Sequence, residues 1–396
     1  MNIRSLFLAP LFAVAMTTAQ PATAAPYLPK DDAVVLETLP GKPSDPTATE
    51  LRSMRAAVAA APTDAEAAAR LALRYFELAM EQGDPRYVGY AEAVIRHWPE
   101  NATTAADLLV LHGKLRQYRH DFATAMADFD LALKSDPGNF GARAWRIAIL
   151  MVQADYAGAR RECGLIAPYA SELQAVACSA YVDATTGNAR PAYARLNAAL
   201  ARAGEVDPGH QLWILTRLAE MAWRFGDTGA AERHFRTALA LGFDDNFLLA
   251  AYADFLLEQG RAAEVVPLLR KWSRSDTLLL RLALAARVLK LPEGEKYVRT
   301  LGDRFADAGL RGEKLHLQEE ARFLLDLKGD ARAALAAASE NYRTQREPRD
   351  AQVLIDAALA ARDPAAAAPA LQWVEASGFE AKRLRDAASQ LKAFKP

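Results

Sequence analysis

A small–large–small triplet returns along the middle of this sequence at a near-constant interval. It reads Ala125, Phe129, Ala132, then Ala159, Cys163, Ile166, then Ala192, Leu196, Ala199. Two further copies follow, Ala231, Phe235, Ala238 and Val265, Leu269, Trp272. The steps are 34, 33, 39 and 34 residues, and the loop Ala203–Gly209 accounts for the long one. Positions i, i+4 and i+7 share one helix face, and small residues there let a neighbouring helix approach. Such a period demands stacked units, because one unit cannot bury its apolar face alone. Composition agrees: alanine makes up roughly a fifth of the 396 residues and β-branched residues are sparse, which favours helix over sheet.

Each triplet follows a second apolar helical stripe. Leu109 and Gly113 precede Phe129, with Pro137 closing the unit. Leu215, Leu218, Ala219 and Ala222 precede the turn Gly226-Asp227 and then Phe235, with Phe243 where a proline would close it. Leu249, Tyr252, Ala253 and Leu256 precede Val265 and Leu269, and Trp272 departs from the small residue due there. Each unit therefore reads as helix, turn, helix, turn.

This pattern resembles the tetratricopeptide repeat family. The resemblance implies an all-α fold, a right-handed superhelical solenoid of about eight to nine helix pairs. It also implies a concave surface, lined by the first helix of each pair, that holds a protein or peptide partner. Outer units are degenerate: 65–99, 278–308, 313–345 and 350–378 read as helix pairs, with turns at Gly83-Asp84-Pro85, Gly329-Asp330 and Asp363-Pro364. Residues 380–393 suit a C-terminal capping helix, and Asp45-Pro46 suits the start of a first helix.

The N-terminus carries an address. Arg4, an apolar run from Leu6 to Ala19 and the small residues Ala22-Thr23-Ala24-Ala25 form a secretory signal pattern over residues 1–25. Cleavage is expected near Ala24 or Ala25, leaving a periplasmic or secreted chain with no membrane insertion. Residues 26–46, with five prolines, read as an extended arm before the solenoid of 47–396.

Chemistry is sparse. The sequence holds no nucleophile elbow, phosphate loop, paired metal-binding histidines or Cys-x-x-Cys, so no catalytic residue, cofactor or metal is expected. His316 and Glu320 have helical ligand spacing, but two ligands make a poor metal site. A formal net charge of −1 gives no basic footprint for nucleic acid. Cys163 and Cys178 fall on neighbouring helices, so an oxidising compartment would allow a disulfide between them.

By register, the groove face carries Trp145, Tyr181, Trp213, Arg217, Glu220, Trp223, Arg224 and Asp254, with Ala148, Ala177 and Ala250 between them. These side chains are read as exposed and partner-binding, and the two arginines as dispensable for stability. The Lys and Asn clamp that some family members use for a peptide carboxylate is not evident, Lys114 standing alone. The expected function is a non-catalytic adaptor of the bacterial envelope. The alternative is a small-ligand or glycan binder that stacks sugars on Trp145, Trp213 and Trp223.

Overall fold

The structure is a computed structural model that describes residues 31, 45–101, 103–313 and 315–393. The expected signal peptide lies outside the described residues, as does the Pro-rich arm apart from Asp31, Asp45 and Pro46. The chain divides after Glu50. Before that point the described residues other than Asp31 open helix α1 (Pro46–Ala60), where the Asp45 carboxylate accepts the Thr47 amide at 2.9 Å.

From Leu51 onward the described chain is helical and stacked. Its pairs are α2 (Ala65–Gln82) with α3 (Arg86–Ile95), α4 (Ala106–Tyr118) with α5 (Phe122–Ser135), and α6 (Phe140–Val152) with α7 (Tyr156–Ile166). Next come α8 (Glu172–Thr185) with α9 (Ala189–Arg202), α10 (Pro208–Arg224) with α11 (Thr228–Ala240), and α12 (Asn246–Glu258) with α13 (Ala262–Leu269). The last are α14 (Asp276–Val288) with α15 (Gly294–Leu310), α16 (Leu317–Arg322) with α17 (Ala331–Thr344), and α18 (Pro348–Ala361) with α19 (Ala368–Ser377). A π turn, Phe323–Lys328, extends α16, and α20 (Lys382–Ala393) closes the array. The described residues thus hold nine pairs.

The turn inside each pair uses one device. A single residue there takes the left-handed conformation, reversing the chain within a few residues. Glycine does this at 83, 187, 226, 260 and 329, whereas His120, Ala154, Lys290 and Arg362 do it in the other four pairs. An aspartate usually follows. Asp155, Asp227 and Asp330 each accept the amide three residues on, at 2.7, 2.9 and 3.0 Å, satisfying a free donor at the start of the second helix.

The repeat triplets form the spine of the core. Ala125, Phe129, Ala132, Ala231, Phe235 and Ala238 are all fully buried. A Cβ on Gly113 would land inside the Phe129 ring, so the small residue on α4 exists to admit the large one on α5. Each such buried ring contributes about 2–3 kcal/mol of burial free energy. Trp272, the misfit of the fifth triplet, is also buried, packed into the largest apolar cluster.

The stack winds far enough to meet itself. The Arg346 amide donates to the Val152 carbonyl at 2.7 Å, and the Gln345 amide reaches the His120 ring at 2.9 Å. The Glu380 carboxylate accepts the Ala189 amide at the first turn of α9. Gly187 and Gly378 approach so closely that a Cβ on Gly187 would sit 3.2 Å from the Gly378 carbonyl. The expected array touched only its neighbours in sequence. Here the last pairs fold back across the concave face of the middle ones.

Candidate functional site

That return converts the concave groove into a cavity of about 1110 Å³. Its wall comes mainly from the first helices of six consecutive pairs, α8, α10, α12, α14, α16 and α18, and is completed by α20, with Arg190 of α9 and Thr228 of α11 at its edge. The polypeptide between α19 and α20 supplies Phe379 and Glu380 to the same wall.

The lining is charged and unbalanced. It holds ten basic side chains and seven acidic ones, in a chain whose formal net charge is −1. Most of the carboxylates are already engaged. Asp254 lies between two guanidiniums, 2.7 Å from Arg281 and 3.0 Å from Arg322. Burial alone would raise its pKa, but the two arginines outweigh that and hold it at about 2. Glu258 accepts from the Trp223 indole at 2.8 Å and faces Arg383 at 3.8 Å. Asp356 takes Arg383 at 3.0 Å and the Gln352 amide at 2.7 Å. Glu220 takes Arg217 at 2.8 Å.

Arg224 differs from these. Among the described residues it has no carboxylate at ion-pair distance, and its Nε is buried without an acceptor. Its guanidinium stacks on Phe379 at 4.5 Å. Burial pushes its pKa down to about 10, with Glu220 and Glu380 near enough to oppose that only in part. Arg217 also leaves its Nε without a partner.

The residues expected on the groove face distribute unevenly. Tyr181, Arg217, Glu220, Trp223, Arg224 and Asp254 all line the cavity. Arg217 was expected to be exposed; it is 7% exposed, with its guanidinium among the rings of Phe247, Tyr181 and Trp213 at 4.4, 5.4 and 5.8 Å. Ala177 and Ala250 are buried as well, because the neighbouring first helices pack directly over them. Trp145 sits elsewhere, edge-on to Phe76 at 5.8 Å, where it joins two packing clusters. Trp213 stays exposed, edge-on to Tyr181 at 5.6 Å. The three tryptophans thus form no common platform: of the three, Trp223 alone lines the cavity.

Most of the wall was not legible in the sequence. Arg281, Arg322, Arg349, Phe379 and Arg383 come from units whose repeat signature is degenerate, and no register relation in the sequence brings them opposite Arg224. The structure joins Cys163 to Cys178 in a disulfide, with Cα atoms 5.7 Å apart. No cluster of three or more potential metal ligands occurs among the described residues. No helix among them is long and apolar enough to cross a membrane.

No protein-family profile matches this chain, and no curated protein matches it. Solved structures do. Cut9, in the Cut9–Hcn1 hetero-tetramer of the APC/C, is similar with a TM-score of 0.50 and 15% identity, covering 83% of this chain. The match spans 63% of the length of Cut9. Naa15, in the Naa15/Naa10 complex bound to HypK, matches 87% of this chain and 63% of its own at 13% identity and a TM-score of 0.25. The TPR domain of P58(IPK) matches 87% of this chain and 92% of its own at 15% identity and a TM-score of 0.23. The helix-pair architecture shared with Cut9, the left-handed turn in every pair and the buried small–large–small spine together give this chain a helical-repeat solenoid fold of the tetratricopeptide-repeat type.

Proposed function

We propose that this chain is a non-catalytic interaction scaffold of the bacterial envelope. It is exported by a leader cleaved near Ala24 or Ala25, and it engages a protein partner at the rim of the concave cavity. One observation carries the reading. The first helices of six consecutive pairs, which a solenoid of this kind turns inward, converge on one cavity edged by exposed charged side chains such as Lys382 and Arg383. Interfaces are built from such mixed aromatic and arginine-rich surfaces. Cut9, which shares the fold, occurs in a hetero-tetramer with Hcn1. The Cys163–Cys178 bond suits an oxidising compartment.

The test is site-specific photo-crosslinking in cells. A crosslinking residue placed at Arg385, on the cavity, should trap a defined partner. The same residue at Glu205, in the exposed loop before α10, should not. Crosslinks from Glu205 and none from Arg385 would place the partner on another face. Fractionation of the same cells tests the export, which a wholly cytoplasmic, uncleaved chain would refute.

A further inference from the structure

We infer that the inner part of the cavity is a binding site for a small organic polyanion, a molecule carrying two or more carboxylate or phosphate groups, with Arg224 as its anchor. This goes beyond the scaffold reading and does not depend on it.

Ten basic groups face seven acidic ones around about 1110 Å³, a volume suited to an organic molecule of modest size. The wall's carboxylates are largely spent on the wall's own arginines: Asp254 on Arg281 and Arg322, Asp356 on Arg383. Glu380, beside Arg224, is turned to the Ala189 amide instead. Arg224 therefore keeps a stacked, partly buried guanidinium with an unused Nε donor. A guanidinium withdrawn from water with no carboxylate at ion-pair distance is costly, the nearby Glu220 and Glu380 offsetting this only in part, and a bound anion relieves that cost through paired, charge-assisted hydrogen bonds. Arg217, with its own unused Nε, and Arg349, stacked on Phe247 at 4.4 Å, face the same space. Tyr181 and Trp223 add polar and aromatic surface for the ligand's body.

The chemistry also selects against the alternatives. A neutral sugar would leave the positive surplus uncompensated, and the tryptophans that would stack it lie apart. A peptide running through the groove meets the returning C-terminal pairs, which contact the middle ones at Val152, Tyr156 and Ala189.

Calorimetry and thermal unfolding with defined probes decide the matter. Citrate and pyrophosphate should bind the wild-type chain and raise its Tm, whereas spermine and maltohexaose should do neither. Arg224→Gln should weaken anion binding by about tenfold or more, the loss ordinary for one anchor. Arg160→Gln, on the exposed Asp183 pair, should leave it unchanged. If Arg224→Gln does not fold, phenylglyoxal labelling of the wild-type chain reads the same contact, since a bound anion should protect Arg224. Absence of binding by both anions, equal binding by a folded Arg224→Gln, or unprotected Arg224 overturns the proposal. Binding of hexaglutamate without citrate or pyrophosphate also overturns it, and makes the cavity a peptide site.

Discussion

The indole of Trp373 donates a hydrogen bond to the hydroxyl of Tyr156 at 2.7 Å, across 217 residues of sequence. Trp373 is on α19 and Tyr156 on α7, so this contact ties the last pair of the array to the third. A one-dimensional stack owes its stability to nearest neighbours. This one adds a closure, and that closure is what turns a groove into a cavity.

The closure should therefore be measurable. Trp373→Phe keeps most of the ring volume but leaves the Tyr156 hydroxyl without its donor. It should cost about 1 kcal/mol in urea unfolding, the usual worth of one hydrogen bond to a partly buried partner. Tyr156→Phe in the same background should cost much less than in the wild type, because the pair has already been broken. Additive losses in that cycle would show that the two residues do not act together.

Gly113→Ala sets helix propensity against packing. On an exposed helix the change would gain about 1 kcal/mol. Here the added methyl meets the Phe129 ring, so we expect a net loss of about 1–3 kcal/mol. A second change, Phe129→Leu, should recover part of it. A Tm that rises on Gly113→Ala would mean that the two helices tolerate a wider separation.

Asp254 should make the chain acid-sensitive in a defined window. Its folded pKa of about 2 lies below the ordinary carboxylate value. A depressed carboxylate stabilises the fold fully above about pH 4, and that contribution is lost as pH falls through about 2. Asp254→Asn removes the charge that separates Arg281 and Arg322 and should cost about 3–5 kcal/mol at neutral pH. Its stability should then fall less steeply than that of the wild type between pH 4 and 2. Parallel curves would assign the acid sensitivity to other groups.

Arg217→Ala should destabilise, contrary to what an exposed groove arginine would do. The guanidinium is enclosed by three aromatic rings and paired with Glu220. Its removal leaves both a hole and an unpaired carboxylate, for about 2–4 kcal/mol. A change of under about 0.5 kcal/mol, typical of surface positions, would show that this side chain is free in solution.

The Cys163–Cys178 bond predicts that the oxidised chain has no free thiol under denaturing conditions without reductant. Intact mass should rise by two hydrogens on reduction. Replacing both cysteines with serine should cost about 3 kcal/mol, the chain-entropy value for the 15-residue loop. Two freely titrating thiols in protein taken from an oxidising compartment would mean that the bond does not form.

The sequence by itself determined the repeating unit, and the reason is local. The triplet at Ala125, Phe129 and Ala132, the turns at Gly226-Asp227 and Gly329-Asp330, and the proline-led start at Asp45-Pro46 act within one helix or one turn. Their physics is complete within a few tens of residues. Glycine marked five of the nine reversals, but His120, Ala154, Lys290 and Arg362 adopt the same left-handed turn because packing of the pair holds them there, and residue type does not announce that. The neighbouring placement of Cys163 and Cys178 was legible for the same local reason. What only the tertiary structure decided was the fate of the groove. Whether Arg217 and Arg224 face water or other side chains depends on how the small twist of each pair accumulates. From the fourth and fifth pairs to the end of the ninth it brings Phe379 to Arg224 and Glu380 to Ala189, contacts 155 and 191 residues apart that no periodicity encodes.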